Sequence, residues 1–85
     1  MQKFTYIITD SLGIHARPAG LLVKEAAKFG SEIKIAKGEK SSDVRRLFSV
    51  MGLGVKQGEE VTVTCSGEDE VKALAAMNKF FEDNL

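Results

Sequence analysis

The residues with the clearest chemical potential lie in one short segment, residues 13–20. The single histidine of the chain, His15, lies two residues before Arg17 and three before the single proline, Pro18. Proline has a fixed φ and no N–H, so it is tolerated in the first turn of a helix, where the leading amides have no intrahelical partner. The spacing therefore predicts a helix over Arg17 to Phe29 with an imidazole at its N-terminus.

This placement indicates phosphate or other anion chemistry. A helix N-terminus carries about half a positive charge and presents free N–H groups, which together bind anions. A neutral imidazole can act there as a nucleophile, and Arg17 adds a permanent cation that can bind phosphate oxygens. Gly13 permits a tight turn before the histidine. The alternative that these residues leave open is a loop histidine beside a solvated arginine.

Length and composition restrict the classes of protein that fit. The chain has 85 residues, of which 44% are hydrophobic, with twelve acidic and twelve basic residues. A chain of this length is expected to form a single domain over residues 1–85 with a small core. The balanced charge creates no overall field that attracts nucleic acid or an anionic membrane, so neither is expected as a partner.

Cysteine use and hydropathy indicate a cytoplasmic protein. Cys65 is the only cysteine, which excludes an intrachain disulfide and a thiolate metal cage. Its place in the alternating run 61–65 predicts a small buried strand residue and not a reactive thiol. No segment has the apolar length of a signal peptide or a membrane span. No metal or cofactor is expected.

Hydrophobic periodicity predicts seven elements. Apolar and polar residues that alternate between turn residues predict four strands, and apolar residues three and four positions apart predict three helices. The strands are expected near residues 4–9, 32–37, 40–43 and 60–65, and the helices at residues 17–29, at 46–51 and after the acidic run 67–70. Gly30 is expected to end the first helix as a left-handed cap.

These elements need a common core. In the final helix, the residues expected to face inward are Val71, Leu74, Ala75, Met77 and Phe81. Four short strands cannot bury one face alone, and three helices with one apolar stripe each supply the missing layer. The order βαββαβα therefore predicts an α+β fold with one four-stranded antiparallel sheet covered on one face.

The chain resembles a known family over nearly its whole length. The most specific motifs are Gly13-Ile14-His15-Ala16-Arg17-Pro18-Ala19 and Leu47-Phe48-Ser49-Val50-Met51-Gly52-Leu53-Gly54, followed by Gly58-Glu59-Glu60-Val61-Thr62-Val63 and Gly67-Glu68-Asp69-Glu70. They resemble the histidine-containing phosphocarrier family HPr of the bacterial phosphoenolpyruvate-dependent sugar phosphotransferase system. The resemblance implies an open-faced β-sandwich of four antiparallel strands with three helices on one face.

The resemblance also implies a phosphoryl relay. It implies that His15 takes a phosphoryl group on Nδ1 from phosphorylated Enzyme I and passes it to Enzyme IIA domains, and that Arg17 supports the phosphate. The backbone amides of Ala16 and Arg17 are expected to steady it by charge-assisted hydrogen bonds. Such a chain is a phosphotransfer intermediate and not an independent catalyst. Transcriptional regulators are further expected partners, and the chain is expected to be a monomer.

A docking surface is expected around the histidine. Helical spacing places Ala16, Gly20 and Lys24 on its side of the helix, and the resemblance places the pair Leu47-Phe48 where the family contacts its partners. The full set of expected partner-binding residues is Ala16, Arg17, Gly20, Lys24, Leu47, Phe48 and Met51. The three on the second helix cannot all face the sheet, so Phe48 is expected to stay exposed. The alternative is that they only complete the core.

One position departs from the family pattern. Many Gram-positive members carry a regulatory serine just before the pair that matches Leu47-Phe48, and this chain has Arg46 there. An arginine cannot accept that phosphate. Regulation by HPr kinase/phosphorylase at this position, and any co-repressor role that depends on it, is therefore not expected.

Three other functions fit parts of the sequence less well. A scaffold module of the same fold would be marked by loss of the histidine, and His15 is present. A ferredoxin-like domain that binds nucleic acid or a metabolite needs a basic or aromatic sheet face, whereas this chain is neutral with six aromatic residues. A stand-alone hydrolase fits least, because the chain has no second histidine and its carboxylates fall mainly on helix faces or in turns, where they are expected to be solvated.

Overall fold

The computed structural model describes all residues 1–85 and contains the seven predicted elements in the predicted order. They are β1 (Gln2–Ile7), α1 (Ala16–Ala26), β2 (Glu32–Lys37), β3 (Lys40–Asp43), α2 (Leu47–Gly52), β4 (Glu60–Ser66) and α3 (Glu70–Asn84). The strands form one antiparallel sheet in the order β1-β4-β2-β3. The predicted α+β fold, with a four-stranded open sheet and three helices, is confirmed.

Side-chain alternation decides which face of the sheet the helices cover. In the central strand β4, Val61, Val63 and Cys65 are buried, while the two threonines between them are partly exposed. Pairing with β2 sets Ile33 opposite Cys65 and Ile35 opposite Val63, so apolar side chains line one face. Cys65 is buried as expected, and burial raises the pKa of its thiol.

The helices bury small residues and three large ones against this face. On α1, Ala19, Leu22 and Ala26 are fully buried. On α3 the buried positions are Ala73, Met77 and Phe81, one every four residues. Phe81 is the largest buried side chain and lies in edge contact with Phe4, Tyr6 and Phe80.

Part of the predicted inward face of α3 is wrong. Val71 is 67% exposed and Ala75 is also exposed, while Ala73 is buried instead. The predicted residues Met77 and Phe81 are buried as expected, and Ala73 completes their row, four residues before Met77. The helix packs against β1 and β4, and this packing decides which of its apolar residues face the core.

The end of α1 also differs from the prediction. The helix ends at Ala26, and Gly30 does not have a left-handed conformation. Arg45 replaces the glycine cap, because its Nη2 donates to the carbonyl oxygens of Ala26 at 3.0 Å, Phe29 at 2.6 Å and Ser31 at 2.9 Å. A cation at a helix C-terminus binds free carbonyls and opposes the negative end of the helix dipole.

Asp69 fixes the start of β2 in a complementary way. Its carboxylate accepts hydrogen bonds from the amides of Gly30 and Ser31, each at 2.9 Å, and from the hydroxyl of Ser31. Asp69 is the N-cap of α3, but its side chain makes no hydrogen bond to the amides of that helix. Of the predicted acidic cluster, only Glu70 lies in the first turn of α3. The hydrogen bond from the Ser31 hydroxyl, followed by that from the Gly30 amide, lowers the pKa of Asp69.

This lowered pKa makes folding stability depend on pH. The free energy of unfolding should fall as the pH drops below about 4, the ordinary value of an aspartate, because the unfolded chain binds the proton first. Asp69→Asn should be less stable at neutral pH and should show a shallower acid dependence. Urea unfolding as a function of pH measures both effects. Glu68→Gln, which removes an exposed neighbouring carboxylate, should keep the wild-type slope.

No helix of this structure combines the length and the apolar character needed to cross a membrane.

Candidate functional site

The loop before His15 lies against the segment that precedes β4. Gly13 has a φ of +66°, and a Cβ at this position would lie 2.2 Å from the carbonyl oxygen of Val55. The next residue, Ile14, donates its amide to the same oxygen at 3.1 Å and buries its side chain in the core. Glycine is required here because the backbone approach is close and the conformation is left-handed. These contacts with Val55 fix the position of the loop.

The Val55 segment is itself held by an ion pair. The carboxylate of Glu59 accepts the amide of Lys56 at 2.7 Å and lies 3.0 Å from Nζ of Lys37. The hydrogen bond to Lys37, followed by that to the Lys56 amide, lowers the pKa of Glu59. The turn behind Gly13 is thus fixed by Glu59 within the same segment and by Lys37 from β2.

Asp10 organises the turn that leads into the site. Its Oδ1 accepts the amide of Leu12 at 2.8 Å, and its carbonyl oxygen accepts the amide of Gly13 at 3.0 Å. The Asp10 amide in turn donates to the carbonyl of Leu85 at 2.9 Å. An aspartate that binds the backbone two residues onward is a common stabiliser of such turns. Both the backbone and one carboxylate oxygen of Asp10 are therefore held.

His15 is the N-cap of α1. Its carbonyl oxygen accepts the amide of Ala19 at 3.0 Å, while its imidazole makes no capping bond to the helix. The side chain is 36% exposed, and Nε2 lies 3.8 Å from Oδ2 of Asp10. The ring therefore borders solvent at the start of a helix, the position that the spacing of His15 and Pro18 predicted.

Two backbone donors lie free beside this ring. The amides of Ala16 and Arg17 donate no hydrogen bond to any protein atom, as is usual for the first positions of a helix. The Arg17 side chain is exposed and forms no ion pair. Free amides, a positive helix end and an unpaired guanidinium in one place favour a doubly charged oxyanion such as phosphate.

A shallow pocket of about 340 Å³ connects these groups. It is lined by Asp10, His15, Arg17, Pro18, Leu21, Asp83 and Asn84. The sequence reasoning missed Asp10, Leu21, Asp83 and Asn84. Asp83 and Asn84 reach the pocket only because α3 returns to the start of α1. Asp10 could have been found from its place at the start of the turn before Gly13.

The predicted docking residues lie on α1 and α2, two helices that contact each other. Phe48 is 83% exposed as expected, whereas Leu47 and Met51 are partly buried against the core. A Cβ at Gly20 would meet no atom within 4 Å, so this glycine leaves the surface flat without a packing need. Ala16 and Lys24 are exposed beside it, and Leu12, which sequence reasoning missed, is 70% exposed in the loop before His15.

The structure brings no group of three or more His, Cys, Asp or Glu side chains into a geometry that could hold a metal ion.

The fold and the site together define a small α+β protein with a solvent-facing histidine at a helix N-terminus. The family model for the "PTS HPr component phosphorylation site" matches residues 2–83. Phosphocarrier protein HPr of Mycoplasma capricolum is 42% identical over 83 residues, which are 98% of this chain and 93% of the relative. HPr of Lysinibacillus sphaericus is 46% identical over 76 residues, which are 89% of this chain and 84% of the relative.

Solved structures agree with this relationship. A mycoplasma histidine-containing phosphocarrier protein matches with a TM-score of 0.93 at 41% identity, covering 96% of this chain and 93% of the other. HPr-C-His from Thermoanaerobacter tengcongensis matches with a TM-score of 0.92 at 37% identity, covering 98% and 93%. The chain belongs to the HPr family of the phosphotransferase system, and it is a phosphocarrier of that system.

Proposed function

We propose that His15 accepts a phosphoryl group from phosphorylated Enzyme I and passes it to Enzyme IIA domains. The observation that carries this proposal is the half-exposed imidazole beside the two free amides of Ala16 and Arg17. It is the single histidine of a chain that belongs to a phosphocarrier family. A carrier must both accept and release the group, so the phosphate should be steadied without being buried. An exposed helix N-terminus meets this need.

Arg17 and the two amides have distinct roles in this proposal. The amides of Ala16 and Arg17 are fixed by the helix and need no rearrangement when a phosphate arrives. The Arg17 guanidinium is exposed, and it adds charge-assisted hydrogen bonds to the phosphoryl oxygens. In-line transfer between two histidines needs mainly positioning and charge neutralisation, to which the partner contributes the other half.

The direct test is phosphorylation of the wild-type chain. The protein is mixed with Enzyme I and phosphoenolpyruvate, and the product is analysed for phosphate. We expect one phosphate that is labile in acid and stable in base, located on His15 by mass spectrometry of the base-treated digest. An unphosphorylated chain, or an acid-stable phosphate on another residue, would exclude the proposal.

The exposed part of the docking surface should carry binding energy. Phe48 is an exposed aromatic residue at the start of α2, and such residues are frequent anchors of protein interfaces. Phe48→Ala should lower kcat/KM for phosphoryl uptake from Enzyme I by about tenfold or more. The free energy of unfolding should change by no more than about 0.5 kcal/mol, because little of the ring is buried. Steady-state kinetics and urea unfolding measure the two quantities.

Val71→Ala is the matched control for Phe48→Ala. Val71 is 67% exposed but lies on α3, outside the proposed docking surface. Its truncation should leave kcat/KM unchanged. Equal losses in the two variants would show that exposed apolar area, and not this surface, determines the rate.

We infer that HPr kinase/phosphorylase phosphorylates no serine of this chain, because Arg46 stands before the Leu47-Phe48 pair in place of the regulatory serine. Arg46 is the N-cap of α2 and offers no hydroxyl. Ser42 is buried and donates to the carbonyl of Asp43, and Ser49 lies within α2 in a different register. Incubation with HPr kinase/phosphorylase and ATP should yield no phosphoserine, with an HPr that has the serine as positive control. Phosphoserine at any position of this chain would contradict the inference.

A further inference from the structure

We propose that Asp10 is a positioning residue for His15: its carboxylate keeps the proton of the neutral imidazole on Nε2 and leaves the lone pair of Nδ1 free as the nucleophile. This inference rests on the proposed function of His15 and adds a residue outside the motifs that carry the family resemblance.

The geometry of Asp10 supports an orienting role. One carboxylate oxygen, Oδ1, is fixed by the amide of Leu12 at 2.8 Å. The other, Oδ2, lies 3.8 Å from Nε2 of His15. That distance is longer than a hydrogen bond, and catalytic contacts are often this long before a substrate binds and then tighten. Because the backbone of Asp10 is held by Gly13 and Leu85, the carboxylate has a fixed origin from which to act on the ring.

The chemistry of the two groups determines which nitrogen carries the proton. A neutral imidazole has one N–H donor and one acceptor nitrogen, whereas a carboxylate only accepts. A carboxylate that faces Nε2 therefore favours the tautomer with the proton on Nε2. Nδ1 is then the nitrogen with the free lone pair.

This tautomer allows transfer without proton movement. The Nδ1 lone pair forms the new N–P bond while the bond from phosphorus to the donor histidine of Enzyme I breaks, and the electron pair of that bond stays on the donor nitrogen. The proton stays on Nε2, so the phosphorylated ring is positively charged and faces the Asp10 carboxylate. In onward transfer the N–P bond breaks, its electron pair returns to Nδ1, and the ring is again neutral.

A second carboxylate in the same pocket provides a matched control. Asp83 lines the pocket with Asp10 but forms no ion contact with His15. Asp83→Asn and Asp10→Asn remove the same charge from the same pocket. Only Asp10→Asn changes the group that faces Nε2 of His15. In Asp10→Asn the side-chain oxygen can keep the bond to Leu12, so the amide NH₂ faces the ring and favours the opposite tautomer, with the proton on Nδ1.

The experiment combines NMR with kinetics. Long-range ¹H–¹⁵N correlation spectra at alkaline pH, where imidazole is neutral, report the tautomer of His15. We expect the Nε2–H form in the wild type and in Asp83→Asn, and a shift toward Nδ1–H in Asp10→Asn. The rate of phosphoryl uptake should fall by about fivefold in Asp10→Asn, in line with the strength of exposed ion contacts, and any change of rate in Asp83→Asn should come without a change of tautomer.

The outcomes separate this inference from the proposed function. A wild type that takes up phosphate on His15 but has its ring proton on Nδ1 would overturn the role of Asp10 alone. Equal rates and equal tautomers in Asp10→Asn and Asp83→Asn would also overturn the role of Asp10 alone. A wild type that takes up no phosphate would instead overturn the proposed function. Because the wild-type spectrum needs no substitution, the test holds even if Asp10→Asn fails to fold.

Discussion

His15→Ala is expected to take up no phosphoryl group from phosphorylated Enzyme I. The chain has a single histidine, so no second imidazole can replace the nucleophile. The imidazole makes no capping bond to α1, and its removal should change the free energy of unfolding by no more than about 0.5 kcal/mol. Phosphate incorporation measured by mass spectrometry, beside an unfolding curve for the same sample, separates loss of the nucleophile from loss of the fold.

Arg17→Ala is the graded comparison for this variant. It removes the cation that we propose to support the phosphate but keeps the imidazole and both amides. Hydrogen bonds to charged groups contribute about 1.5–3 kcal/mol, so uptake should slow by about ten- to a hundredfold without being abolished. Undiminished uptake by His15→Ala would refute the assignment of His15, whatever the result for Arg17→Ala.

Gly13→Ala should produce the largest loss of stability among the changes considered. A left-handed conformation costs a residue with a Cβ about 1–2 kcal/mol. The new Cβ would also lie 2.2 Å from the Val55 carbonyl oxygen, so the backbone must shift. Together these effects should lower the free energy of unfolding by about 2–4 kcal/mol. Thermal unfolding should show a fall in Tm of about 10 °C or more.

Gly20→Ala is the control with the opposite expected sign. Gly20 lies within α1, and a Cβ there meets no atom within 4 Å. Alanine is the better helix former, so the free energy of unfolding should rise by about 0.5–1 kcal/mol. If Gly13→Ala unfolded at the wild-type temperature, the close approach of the loop to Val55 could not be a structural requirement.

Much of the fold could be predicted because local pattern and packing agree. The boundaries of β2 and β3 were predicted correctly, since Ile33 and Ile35 alternate with polar residues and Gly38-Glu39 forms the turn between the strands. The position of His15 followed from Pro18 for a similar reason, because a helix accepts proline only near its start. Both signals lie within a few residues of the structure that they determine.

The parts that could not be predicted depend on distant residues. The end of α1 is determined by Arg45, nineteen positions after Ala26. The inward row of α3 is selected by the sheet and not by the helix's own apolar residues. Asp83 and Asn84 enter the His15 pocket only through the path of α3. None of these contacts leaves a periodic pattern in the sequence, because each depends on residues of another element.

The two ends of α1 differ in whether a side chain binds their backbone groups. At the C-terminal end Arg45 binds the carbonyl of Ala26, the last residue of the helix, whereas the amides of Ala16 and Arg17 at the N-terminal end are free. The contact with Arg45 lies about 16 Å from these two amides, at 1.5 Å per residue along α1. Under the proposed function, a phosphate bound by these amides would displace none of the hydrogen bonds that hold α1 in the protein, so loading and unloading should leave the helix in place.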